Sequence, residues 1–148
     1  MKRLILTLIA GTLLVTALVF NTAAQTSTVK TLVSPYSLTS DTVTNTGTAY
    51  LTAQSLTKGQ STTIQFVATK ISGTVAGTVT LLGSLDGTNY KALTVAEGTT
   101  ALPTYTATDA ASQNFIWQVL RSPYKYYRVS WTGSGTMSAS FKAYLLSN

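Results

Sequence analysis

From about residue 44 onward, apolar and polar residues alternate in short runs separated by Gly, Pro, Asn and Asp. Alternation at period two is the signature of a strand with one buried face, because successive side chains point to opposite sides of the pleat. The cleanest case is residues 136–146. Met137, Ala139, Phe141, Ala143 and Leu145 fall on one side, and Ser138, Ser140 and Lys142 on the other. Residues 113–120 place Phe115, Trp117 and Val119 together, opposite Ile116, Gln118 and Leu120. Residues 62–72 carry Ile64, Phe66 and Ala68 on one face and Val67 and Ile71 on the other. Apolar residues on both faces predict a strand in the middle of a packed sheet. Further strands are expected over 48–56, 104–107 and 124–131, with turns at Lys58-Gly59-Gln60, Gly73–Gly77, Pro123 and Gly133-Ser134-Gly135.

The stretch Gly77–Leu93 organises the rest. Val79, Leu81 and Leu85 alternate on one face with Gly83 between them, Asp86-Gly87 follows, and Tyr90, Ala92 and Thr94 alternate again. Asp-Gly between two alternating runs predicts a tight β-hairpin, since glycine enters positive φ freely and Asp tolerates it better than most residues. Asn89 completes the turn chemistry.

No helical period is sustained between residues 21 and 148. Seven or eight short strands joined by such turns predict an all-β fold, a single antiparallel β-sandwich of jelly-roll-like type. An immunoglobulin-type sandwich is the alternative topology, without its Cys…Trp…Cys marker. The first 24 residues differ. Lys2 and Arg3 precede an uncharged, mostly apolar segment, Leu4–Phe20, which small residues close at Ala23-Ala24. This apolar helix reads as a secretory signal cleaved after Ala24 or, being longer than the usual signal core of about 7–15 residues, as a retained membrane anchor. The expected organisation is a leader at 1–24, an extended Thr/Ser-rich arm at 25–44, and a β-sandwich at 45–148.

Composition narrows the chemistry. Charged residues are 9% of the chain, so Thr, Ser, Gln and Asn must supply most surface polarity. There is no cysteine and no histidine. Disulfides, thiolate sites, thiol nucleophiles and His-based acid–base catalysis are excluded. The formal net charge is +6, with basic residues scattered rather than clustered. Asp41, Asp86, Glu97 and Asp109 are the only carboxylate side chains, and no spacing among them suggests a glycosidase pair. A non-enzymatic protein without cofactor or metal is expected. Asp86 and Asn89 are assigned to satisfying turn amides rather than to holding calcium.

The candidate binding patch is Tyr124-Lys125-Tyr126-Tyr127-Arg128-Val129-Ser130-Trp131. On a strand, Tyr127, Val129 and Trp131 face the core, and Tyr124, Tyr126 and Arg128 face the other way. An aromatic and cationic stripe there suits stacking on sugar rings or packing against another protein; if a neighbouring loop covers it, the tyrosines only wall the sandwich. One such patch without a basic groove does not suggest nucleic acid.

LLGSLDGTNYKAL and, some thirty residues later, SPYKYYRVSWTGSGT resemble a family of small bacteriophage-encoded β-sandwich proteins of Bacteroidetes phages and prophages, with two hairpins of these patterns over residues 44–146. The resemblance implies a virion structural or decoration role. Ser84, Asp86, Gly87, Asn89 and Tyr90, with Tyr126, Tyr127 and Arg128, more loosely resemble discoidin-like, galactose-binding-like jelly rolls, where such positions are largely scaffold. Two functions are therefore carried forward. One is a virion-associated structural module that self-associates or binds other virion or surface proteins. The other is a secreted or surface-anchored carbohydrate-binding or adhesion module recognising a cell-surface glycan. Both place the protein outside the cell or on a particle, with membrane contact only through residues 4–20.

Overall fold

The computed structural model describes residues 28–34, 39–55, 61–93, 102–120 and 123–147. The leader, Glu97 and the turn at Lys58-Gly59-Gln60 lie outside them. Ten strands occupy the described residues: β1 (Thr28–Thr31), β2 (Asp41–Thr44), β3 (Thr48–Gln54), β4 (Thr62–Gly73), β5 (Gly77–Ser84), β6 (Lys91–Ala92), β7 (Tyr105–Ala107), β8 (Ser112–Val119), β9 (Tyr126–Gly133) and β10 (Met137–Ser147).

They form two antiparallel sheets. One runs β1-β10-β4-β8, with β2 sharing the β1 edge of β10; the other runs β3-β9-β5-β6, with β7 sharing the β6 edge of β5. With each shared edge counted as one position, each sheet is four strands wide and the chain crosses repeatedly between them. The excess over seven or eight strands comes from these short pieces.

The inner faces meet in one core. Ile64, Phe66 and Ala68 of β4 and Ala139, Phe141, Ala143 and Leu145 of β10 face Tyr127, Val129 and Trp131 of β9 and Val79 and Leu81 of β5; all are buried. Phe66, Phe141 and Trp131 form an aromatic cluster, with Trp131 edge-on to the other two rings at centroid distances of 5.5 and 5.7 Å. This edge-to-face arrangement suits the ring quadrupoles.

Four expectations change. The arm at 25–44 contributes two strands: β1 pairs with residues 144–147 of β10, and β2 with residues 138–141. Each is short and Thr-rich, and the anchors are single residues, Leu32 beside β1 and Val43 within β2, both buried. Residues 62–72 do lie in the middle of a sheet, with β4 between β10 and β8, although Ile71 near its end is 58% exposed.

The late pair 124–131 and 136–146 is not a hairpin, since β9 and β10 lie in opposite sheets. Gly133 and Gly135 (φ 74°) let the chain arch over the sandwich edge. Among the described strands, β5 and β6 are the one consecutive pair bonded to each other. Even there the turn is wider than two residues: Gly83 pairs with Lys91, and residues 85–90 loop out. Leu85, expected inside, is 67% exposed.

Candidate binding groove

The wide loop has a local cause. Asp86 does not take positive φ; Gly87 does, at 78°. The Asp86 carboxylate instead gathers donors. Its Oδ1 accepts the N–H groups of Thr88 and Asn89 and the hydroxyl of Ser84, each at 2.8 Å. Its Oδ2 accepts from the Asn89 side-chain amide at 2.7 Å, and the Gly87 N–H donates to Ser84 Oγ at 3.0 Å. These bonds, led by that from the Asn89 N–H, hold the Asp86 carboxyl well below its ordinary value. Asp86, Gly87 and Asn89 thus build the turn, and among the described residues no group of three or more His, Cys, Asp or Glu could hold a metal ion.

The loop folds over the outer face of the β3-β9-β5 sheet. Ser84 lies opposite Tyr126, on the side away from the core, yet is buried beneath the loop. Gly87 rests on the Tyr126 ring: a Cβ there would lie 3.3 Å from two ring atoms. Tyr90 reaches the next outward position of β9, and the Arg128 guanidinium carbon lies 3.7 Å from its ring centroid. On the other side, Tyr50 of β3 brings its ring centroid to 4.0 Å from the same carbon. Tyr50 pairs with Ser130, two residues from Arg128, so this is a diagonal cross-strand contact within reach of long side chains.

Two tyrosine rings thus lie within 4.0 Å of the Arg128 guanidinium carbon. Arg128 lines a groove of about 370 Å³ together with Tyr50, Tyr90, Tyr126 and Gly87. Thr52 and Gln54 of β3 extend the lining, and Lys30, Thr31, Val33 and Ser34 form the opposite wall. That wall exists because the chain leaves β10 after Leu32, whose N–H donates to the Ala143 carbonyl at 2.9 Å. Val33 and Thr52 then exchange backbone hydrogen bonds at 2.9 and 2.7 Å. One segment thus closes the sandwich edge and lines the groove.

Of the sequence-derived candidates, Tyr126 and Arg128 meet here and Tyr124 does not. Tyr124 precedes β9 and packs against the core, its ring centroid 6.5 Å from that of Tyr127. Gly83 makes the room: a Cβ there would lie 2.7 Å from the Tyr124 ring and 2.5 Å from Leu93. Strand alternation does not extend to Tyr124 because the chain bends before β9 starts. Tyr50 and Tyr90 were missed. Tyr50 has the outward parity of its strand, which sequence does show, but its nearness to Arg128 depends on the β3–β9 register. Tyr90 follows the Asp-Gly signal directly, yet the signal describes a flat hairpin rather than a loop over the sheet.

The remaining carboxylates in the described residues have structural roles. Asp109 bonds Lys70 Nζ at 2.7 Å and the Val75 N–H at 2.9 Å, and these contacts lower its pKa, the Lys70 bond first. Asp41 accepts the Thr42 N–H at 2.8 Å.

No family model and no curated protein matches the chain. Solved structures similar to it include a structure described as CBM4 structure and function, at 16% identity and TM-score 0.44, covering 70% of this chain and 66% of that one. Another is from the Bacillus endospore appendages, a family of disulfide-linked pili, at 15% identity and TM-score 0.42, covering 82% and 87%. A third is the K1 cleaved adhesin domain of Lys-gingipain from Porphyromonas gingivalis W83, at 10% identity and TM-score 0.48, covering 82% and 97%. Likeness at this level says nothing of ligand or role, and the phage-type family is not shown by any of these matches.

Proposed function

We propose that this protein is an exported, non-enzymatic β-sandwich module that binds carbohydrate through the groove of Tyr50, Tyr90, Tyr126 and Arg128, in recognition of or adhesion to a glycan-bearing surface. The observation that carries this reading is the Tyr50–Arg128–Tyr90 stack, held in place by the Asp86 loop before any ligand arrives. A pre-ordered site avoids the entropy of arranging long side chains on binding. Tyrosines present flat apolar faces with a polar tip, and Thr31, Thr52 and Gln54 add hydrogen-bonding groups suited to sugar hydroxyls. Among the described residues the lining contains no carboxylate, and the chain has no histidine, which favours binding over acid–base catalysis.

The test is a glycan array probed with residues 25–148 and with Tyr90→Ala. Retention of defined glycans by the parent, reduced about tenfold or more in the variant at unchanged melting temperature, supports the reading. Failure to retain any glycan, or equal retention by both proteins, overturns it.

The virion-associated role implied by the phage-type resemblance is a second reading, favoured by one feature. β8 ends its sheet with Ser112–Val119, eight uncharged residues without proline, the type of edge that pairs with another chain. Peptide mass spectrometry on sedimented particles and on soluble supernatant separates the two readings. An uncleaved Met1 chain at fixed stoichiometry in particles favours the virion role. A chain beginning at Gln25 only in the soluble fraction favours the secreted module.

A further inference from the structure

We infer that the glycan bound in the groove is acidic, and that a sugar carboxylate is received by the edge of the Arg128 guanidinium. The inference rests on the carbohydrate-binding reading above and goes beyond it in naming the ligand's chemistry.

Three observations converge. The first is charge: among the described residues the lining includes two cations, Lys30 and Arg128, and no Asp or Glu. The second is that Arg128 makes no hydrogen bond or ion pair among the described residues, and its Nε is buried without a partner. Lys70–Asp109 is the one ion pair found among the described residues, and neither residue lines the groove. A partly buried guanidinium with unmet donors is poorly solvated, and an acceptor beside it offsets that cost.

The third is geometry. The guanidinium carbon lies 4.0 Å from the Tyr50 ring centroid and 3.7 Å from that of Tyr90, so two aromatic rings crowd the group. Its N–H groups lie in one plane and point outward along its edge. That edge matches a planar carboxylate through two parallel hydrogen bonds, a recognition that a lysine ammonium cannot reproduce. The stacked rings also hold the fork still, so little rotamer freedom is lost on binding. A peptide carboxylate would offer the same oxygens, but beside Arg128 the lining supplies mainly tyrosines, hydroxyls and an amide, with Val33 and Ala53 the only aliphatic residues. That surface suits a hydroxyl-rich sugar better than apolar peptide side chains.

The experiment uses residues 25–148 and measures affinity by calorimetry for polygalacturonate, alginate and hyaluronan oligosaccharides. Each is paired with its carboxyl-reduced, neutral counterpart; neutral xylan oligosaccharides and dextran sulfate complete the panel. The expected result is that at least one uronate glycan binds, that carboxyl reduction weakens it tenfold or more, and that added salt weakens it further. Arg128→Lys keeps the charge but removes the fork, and is expected to lose about tenfold. Lys30→Gln, at the groove wall and outside the stack, is expected to lose less and to flatten the salt dependence. Thermal melts of both variants identify any loss of fold. Equal affinity for a uronate glycan and its reduced form, binding to xylan alone, or a preference for dextran sulfate that Arg128→Lys does not change would overturn the carboxylate assignment and leave the carbohydrate-binding reading standing. No binding to any glycan, acidic or neutral, would overturn both.

Discussion

The two outer faces of the sandwich begin from the same sequence device and end differently. On the β10-β4-β8 sheet, Thr63, Gln65 and Val67 of β4 lie between Gln118, Ile116 and Asn114 of β8 and Leu146, Tyr144 and Lys142 of β10. Among the described residues, these side chains form no ring stack or cation–ring contact, and Ile116 is 55% exposed. On the β3-β9-β5 sheet the same alternation sets out Tyr50, Tyr126 and Arg128, and the loop at 85–90 then folds across them. Strand periodicity supplies a platform on both sides. A chemically specific groove arises where a loop brings a further aromatic residue over that platform, which the Asp86 hydrogen bonds enforce on one side.

The largest effect is expected where the two faces share their support. Trp131→Ala removes the fully buried ring that meets both Phe66 and Phe141, and should cost about 3–5 kcal/mol in denaturant unfolding. Both faces should be lost together; a folded variant with the groove gone and the other face intact would show that the sheets are less coupled than the core implies.

A smaller effect, confined to one face, is expected at the loop. Gly87→Ala places a Cβ at φ 78° against the Tyr126 ring and should cost about 1–2 kcal/mol. Glycan affinity should fall with it, because the loop that carries Tyr90 is displaced. Unchanged affinity would mean that Tyr90 is positioned by Arg128 alone.

Acid sharpens the contrast. The Asp86 carboxyl titrates lower in the fold than in the unfolded chain, so its ionised form stabilises the fold above the ordinary value of 3.8. That contribution is lost as pH falls below 3.8 toward the folded value. Asp86→Asn should therefore be less stable than the parent at pH 7, with a gap that narrows as pH is lowered toward 2; a gap that stays constant would sink the linkage. The smallest effect belongs to the outer face of the β10-β4-β8 sheet. Ile116→Thr should change stability by no more than about 0.5 kcal/mol and leave glycan binding untouched, as read by melting and calorimetry.

Several features were legible because they depend on local chemistry. The inward sets on β10 and β9 follow from period two alone, and Met137 through Leu145 and Tyr127 through Trp131 occupy the core as alternation requires. Asp86-Gly87 marked a reversal, and β5–β6 is the consecutive strand pair that forms. Other features were hidden because edge strands carry weak patterns. β2 has one buried residue, Val43, and β1 only the adjoining Leu32, and their pairing with β10 joins residues more than ninety positions apart. Alternation also looks the same whether the next strand lies beside its predecessor or across the core. The arch from β9 to β10 therefore read as a hairpin.

By itself, then, the sequence determined the all-β character of the described residues, the inward and outward parity of the longer strands, a reversal at Asp86-Gly87, and the absence of histidine and cysteine chemistry. These follow from covalent composition and from interactions within a few residues. Tertiary structure alone decided that Tyr50 and Tyr90, forty residues apart, both close on Arg128, while Tyr124 turns inward beside Gly83. Those outcomes depend on cross-strand register and on where a loop comes to rest. Both are set by packing between distant segments, because the energy that selects them exists only once the two sheets have met.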